Sequence, residues 1–168
     1  MKRVNEHIMC LKVLIGDKLV TCICVYAPQT GRSAEEKDSF WDQMISVTGS
    51  VPASELIVVG GDLNGHVGTN VDGYDGVHGG YGFGERRADG ERILEFCDAM
   101  ELLATNTCFK RQKNKFATYV SGGTETAIDQ LLLRRCDRRY LKTSKSLLEK
   151  SVFHSIGNSL VMSSLVLH

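Results

Sequence analysis

The sequence predicts an α/β fold in which two mixed β-sheets pack as a sandwich flanked by helices, and three observations carry that expectation. Short β-rich runs bounded by turn residues recur along the chain. Two stretches between them repeat their apolar residues at helical spacing. One continuous apolar run, Leu56 to Val59, is short enough to be a strand buried on both faces.

The elements follow in order. Ile8 to Ile15 and Lys18 to Tyr26 flank Gly16-Asp17 as two neighbouring antiparallel strands of a hairpin. Ala27-Pro28-Gln29 ends the second, because proline has no N–H for a ladder and holds its predecessor extended. Ser33-Ala34-Glu35-Glu36 is a capping box opening a helix over 34–48, with Phe40, Trp41, Met44 and Ile45 on its buried face. Leu56 to Val59, closed by Gly60-Gly61, delivers Asp62-Leu63-Asn64 to its C-terminal edge. Residues 65–89 are glycine-rich and carry His66, Asp72, Asp75 and His78, the composition of a long surface loop. A second helix begins near Asp89, with Ile93, Phe96, Cys97 and Met100 on one face. Leu102 to Asn106, Phe116 to Val120 and Thr126 to Leu133 are further strand candidates, the last two joined by a hairpin loop at Ser121 to Glu125. Arg138 to Glu149 suits either strand or helix, and Leu160 to Leu167 suits a strand. No repeat or linker interrupts the 168 residues, so one domain is expected over 1–168.

Bulk chemistry narrows the function classes. No run approaches the roughly 20 apolar residues that cross a bilayer, and no apolar leader with a cleavage site is visible, so no membrane partner and an intracellular, nuclear or cytoplasmic, non-secreted protein are expected. The six cysteines lack C-x-x-C pairing, which disfavours structural zinc and suits reduced thiols; Cys22 and Cys24 share a strand face as small apolar residues. Net charge is zero, yet residues 107–150 hold 11 Lys and Arg against 4 Asp and Glu. That basic half would suit a phosphate backbone, and DNA is the partner it suggests; a solvated basic face is the plainer alternative.

Asp62 and Asn64 are the sharpest feature. Side chains alternate along an extended chain, so both would share a face, a carboxylate able to bind magnesium or accept a proton beside an amide able to hold an oxygen. An Asx turn ending the strand is the alternative. Gly80-Tyr81-Gly82-Phe83-Gly84 could suggest nucleotide binding, but no Lys-Ser/Thr follows and no strand immediately precedes it.

Val25-Tyr26-Ala27-Pro28, Gly61-Asp62-Leu63-Asn64, Ala117-Thr118-Tyr119 and Ile128-Asp129 occur in the order and spacing of the endonuclease/exonuclease/phosphatase superfamily, which the chain resembles along nearly its whole length. Ala88-Asp89-Gly90-Glu91-Arg92 and Leu102-Leu103-Ala104-Thr105-Asn106 look like one clade of it, the endonuclease domains of RTE-type non-LTR retrotransposons and the craniofacial development protein 2-like proteins. The resemblance implies Mg2+-dependent hydrolysis of DNA phosphodiester bonds. Asp62 would orient or deprotonate water, and with Asn64 would hold metal and phosphate. Tyr26 would contact the scissile phosphate, and Asp129 would orient a histidine. Taken singly, Tyr26 also reads as a packed strand tyrosine and Asp129 as a surface carboxylate.

The chain departs from the family at both ends. Family members open with two strands, the second ending in a metal-binding glutamate, ahead of the segment matching residues 8–26, so a partial, N-terminally truncated domain is expected. The terminal histidine position falls at Gly157 or Asn158, with His154 nearby. The expected activity is therefore weak or absent, with a non-catalytic nucleic-acid- or protein-binding module of the same fold as the alternative.

Overall fold

The computed structural model describes residues 2–110 and 129–141, together with the backbone of 119–121, 124–126, 154–156 and 159–161. Its strands are β1 (Lys2–Arg3), β2 (Ile8–Ile15), β3 (Lys18–Tyr26), β4 (Leu56–Asp62), β5 (Leu102–Ala104), β6 (Tyr119–Ser121), β7 (Thr124–Thr126), β8 (Asp129–Arg134), β9 (His154–Ile156) and β10 (Ser159–Val161), with helices α1 (Ala34–Gly49) and α2 (Ala88–Ala99). Six strands form one mixed sheet in the order β1-β2-β3-β4-β8-β5, parallel between β3 and β4 and antiparallel elsewhere. β6 pairs with β7 and β9 with β10 as separate two-stranded ribbons.

The β2–β3 hairpin forms as its sequence dictates. Gly16 takes φ 60° in the turn, and the register runs from Ile15↔Lys18 to Ile8↔Val25. α1 starts on the expected capping box: Glu36 N donates to Ser33 Oγ at 3.2 Å, and Ser33 N donates to the Glu36 carboxylate at 3.3 Å. α2 begins at Ala88 after Arg87, whose side chain makes no cap hydrogen bond.

Both helices lie against one face of the sheet. Ile23, Val25, Ile57, Val59 and Leu132 from the strands meet Phe40, Trp41 and Met44 of α1 and Ile93, Leu94 and Phe96 of α2. Trp41 joins the two helices, with its ring 5.2 Å from that of Phe40 and 5.2 Å from that of Phe96. The alternate residues of the same strands, Val20, Cys22, Leu56, Val58 and Leu133, form a second buried cluster on the opposite face, with Tyr140 and Leu141 packed against it.

Several expectations change on this geometry. Ile45 is 45% exposed and leaves the buried stripe of α1, because Phe40, Trp41 and Met44 already fill the contact with the sheet. The hairpin expected around residues 121–125 is tighter, Ser121 pairing with Thr124 within β6–β7; of the expected Thr126 to Leu133 strand, Thr126 pairs in β7 and Asp129 to Leu133 pair in the main sheet as β8, while 127–128 lie outside the described residues. β5 ends at Ala104, and Thr105–Cys108 turns into a 3-10 segment. Arg135–Tyr140 is likewise a 3-10 segment. The glycine-rich stretch after β4 is the expected irregular, largely exposed loop, pinned to the core by the buried side chains of Val67, Val77 and His78. Residues 116–118 of the expected Phe116 to Val120 strand, 142–149 of the Arg138 to Glu149 segment and 162–167 of the Leu160 to Leu167 strand lie outside the described residues.

Candidate functional site

Register assembles the site. β3 and β4 run parallel with Tyr26 opposite Asp62, and β4 and β8 run antiparallel with Asp62 opposite Asp129. Residues directly opposite on neighbouring strands project to the same side of a sheet, so Tyr26, Asp62 and Asp129 form one row across three adjacent strands. The row belongs to the face opposite the helices, because Tyr26 continues the Val20, Cys22, Cys24 alternation and Asp62 the Leu56, Val58, Gly60 alternation.

Gly61 makes this row possible. Its φ is 146°, and a Cβ there would stand 1.9 Å from the carbonyl oxygen of Val25, so β3 approaches β4 in a way that no side chain at 61 permits. Ala27 N then donates to Asp62 O at 2.8 Å, locking the exit of β3 to the end of β4.

Asn64 arrives by a different route from the one its spacing predicts. The strand ends at Asp62, Asn64 sits at φ 49°, and Asn64 N donates to Asp62 Oδ1 at 2.8 Å. This is an Asx turn, and extended alternation does not continue to residue 64. Asn64 nevertheless stays at the site, because its Nδ2 donates to Ala27 O at 2.7 Å, which leaves Oδ1 as the atom it can offer a ligand.

Burial pushes the Asp62 carboxyl up to about 6, the Asp129 charge pushes in the same direction, and the Asn64 N–H opposes both. Two carboxylates sharing one row are relieved by a cation between them. Asp62, Asp129 and the Asn64 carbonyl oxygen are all hard oxygen donors, so the residues present fit Mg2+ in kind. They are few: among the described residues, no group of three or more His, Cys, Asp or Glu side chains gathers to hold a metal. Gln29 Nε2 donates to the Tyr26 hydroxyl at 3.4 Å, a long contact at the rim.

Two supporting residues escaped the sequence reading. His7 brackets Tyr26: Tyr26 N donates to His7 O at 3.0 Å, and His7 Nδ1 lies 2.8 Å from Tyr26 O. Asn106 holds the start of β8, its Nδ2 donating to Asp129 O and its Oδ1 accepting from Leu131 N. A polar residue at the end of a β-rich run was the available signal for Asn106; His7 offered none. Thr118 and Ile128 of the expected motifs lie outside the described residues, as do Gly157 and Asn158, while Tyr119 falls in β6 and His154 in β9.

Basic residues of 107–150 divide in use. Arg134 Nη1 donates to the carbonyls of Pro52 and Glu55 and its Nη2 to that of Val51, at 2.9 to 3.1 Å. Arg135 bonds the Leu102 and Asp98 carbonyls and the Asp98 carboxylate. Both arginines tie elements of the fold together.

A solved structure shares this architecture. The endonuclease domain of TRAS1, a telomere-specific non-LTR retrotransposon, superposes with a TM-score of 0.55 at 15% identity, covering 80% of this chain and 51% of that one. The chain has an endonuclease-domain fold. In sequence it is related to craniofacial development protein 2: it is 28% identical to the Bos taurus protein over 129 residues and 26% identical to the Tragulus javanicus protein over 144 residues. These alignments take in 76% and 84% of this chain but 22% and 25% of the relatives, so the chain spans about a quarter or less of the length of the curated relatives it matches. No family model matches the chain. Fold and relatives together support an endonuclease/exonuclease/phosphatase-like relationship. No helix among the described residues is long and apolar enough to cross a membrane.

Proposed function

We propose that this chain is a retrotransposon-derived, nuclease-like domain that handles DNA phosphodiesters at the Tyr26–Asp62–Asp129 row, with weak or no cleavage activity. The observation that carries the reading is the register Tyr26↔Asp62↔Asp129, which puts a hydroxyl and two carboxylates in line on one sheet face. The endonuclease-domain fold supports it.

In this reading Asp62 accepts a proton from the attacking water, a role for which a carboxyl titrating at about 6 is better matched to neutral pH than an ordinary aspartate. Asn64 Oδ1 and the Asp62 carboxylate would hold Mg2+, which when bound would stabilise charge developing on the phosphate. Tyr26 orients a phosphate oxygen, and Asp129 orients a neighbouring base. Cleavage would need metal and base together, and each missing electrostatic contact commonly removes about 10² to 10³ in rate.

The test is nicking of supercoiled plasmid by the whole chain and by Asp62→Ala, at matched protein and several magnesium concentrations, beside salt-dependent DNA binding. Salt-sensitive binding with slow or absent nicking is expected. Rapid magnesium-dependent nicking that Asp62→Ala abolishes would overturn the weak-activity reading, and a chain that neither binds nor nicks DNA would overturn the nuclease-like reading.

A further inference from the structure

We propose that Asn106 is a positioning residue for Asp129, acting as a surrogate rung of the β-ladder at the edge of the site. β5 pairs with β8 through Leu102↔Arg134, Leu103↔Leu133 and Ala104↔Leu132, and then leaves the sheet. β8 continues toward Asp62 by three more residues, with β4 on its inner side. On its outer side stand the side chains of Thr105 and Asn106. Asn106 Nδ2 donates to Asp129 O at 3.2 Å and Asn106 Oδ1 accepts from Leu131 N at 2.8 Å, while Thr105 Oγ1 donates to Leu131 O at 2.8 Å.

A carboxamide carries the donor and acceptor of a peptide group, so the Asn106 side chain replaces the pair of bonds that a continued β5 would make. A continued strand would carry its own backbone alongside the row; a turned strand with one amide reaching back holds β8, and among the described residues no other strand pairs with β8 on that flank. The anchor is itself fixed. Thr107 Oγ1 donates to Ala104 O at 2.6 Å and accepts from Gly79 N at 2.7 Å, which sets the 3-10 turn that aims Asn106. The catalytic meaning of this assignment rests on the nuclease-like reading; the geometry of Asp129 does not.

The experiment compares the whole chain with Asn106→Ala, Asn106→Asp and Thr105→Val. Three-bond couplings of the Asp129 side chain report its χ1, and amide hydrogen exchange reports the bond to Leu131. In Asn106→Ala we expect Leu131 protection to fall about tenfold or more and Asp129 to average between rotamers, with Leu132 protection in the β4–β8 ladder kept. Asn106→Asp keeps the acceptor for Leu131 N and loses the donor to Asp129 O, so Leu131 stays protected while Asp129 still averages. Thr105→Val, which removes a bond to the same strand without touching Asp129, should leave the Asp129 couplings as in the parent. Unchanged Asp129 couplings in both Asn106 variants would overturn the assignment. DNA binding and nicking by the same preparations separate the two ideas: a parent that neither binds nor nicks DNA counts against the nuclease-like reading alone, and in a parent that nicks, Asn106→Ala should lower kcat about tenfold with KM nearly constant.

Discussion

Asp62 serves two masters. As the acceptor of the Asx turn it shapes the end of β4, and as a half-buried carboxylate beside Asp129 it is held where ionising is unfavourable. Its titration in the fold lies at about 6, above the ordinary aspartate value of 3.8, so the folded state binds the proton more tightly than the unfolded chain. The contribution to stability is then complete below about pH 4 and is lost as pH rises through 6, with about 3 kcal/mol as its ceiling. Asp62→Asn keeps an oxygen for the Asn64 N–H and removes the charge. It should raise the melting midpoint at pH 8 without divalent metal and leave it nearly unchanged at pH 4; equal midpoints at pH 8 would show that Asp62 ionises there without cost. Magnesium should stabilise the parent at pH 8 and do so less for Asp62→Asn. At this scale the sequence was partly legible. Asp62 could be singled out because it closes a buried apolar run, whereas Tyr26 and Asp129 were legible only through the order of motifs that resembles the superfamily. The left-handed backbone of Asn64 was not visible, since it depends on the Ala27 carbonyl that a folded β3 presents to its amide.

Elements divide between those that local chemistry specifies and those that tertiary contact decides. α1 was readable because the capping box and the apolar stripe agree, and Ser33→Ala should cost about 1 kcal/mol in urea unfolding. β4 was readable from its apolar run and its two glycines, although the necessity of Gly61 comes from β3 lying against it. Gly61→Ala combines a disfavoured φ with a clash against the Val25 carbonyl, and should destabilise by about 4 kcal/mol or more. Gly16→Ala, also at positive φ but with open space around it, should cost about 1 kcal/mol. Near-equal losses in the two variants would remove the close approach as the cause. β5 was predicted too long, because a β-rich composition through Asn106 does not reveal that its last side chain takes over the ladder from its backbone. The anchors of the exposed loop over 65–89 were hidden for a similar reason. Polar and glycine-rich composition resembles a surface loop, yet His78 is buried with Nε2 3.1 Å from Gly68 O and Nδ1 accepting from Gly80 N at 3.1 Å.

Across the whole molecule, the charge map and the interaction map are not the same thing. The basic excess of residues 107–150 suggested a DNA-facing half, but the carbonyl bonds of Arg134 and Arg135 give those two a structural use. Arg134→Gln should therefore lower the melting midpoint, by about 1 to 3 kcal/mol of stability, while leaving the slope of DNA affinity against salt unchanged. A reduced slope would mean that Arg134 also neutralises phosphate. The site row has one more consequence, for the order of events when the chain folds. Its three residues come from strands remote from one another in sequence, joined through one parallel and one antiparallel pairing. Non-local pairings of this kind close late, whereas α1 and the β2–β3 hairpin are local and form early. On dilution from urea, amide protection within α1 and the β2–β3 hairpin should appear before protection in the β4–β8 ladder that carries Asp62 and Asp129, so an incompletely folded chain has its local elements and no assembled row.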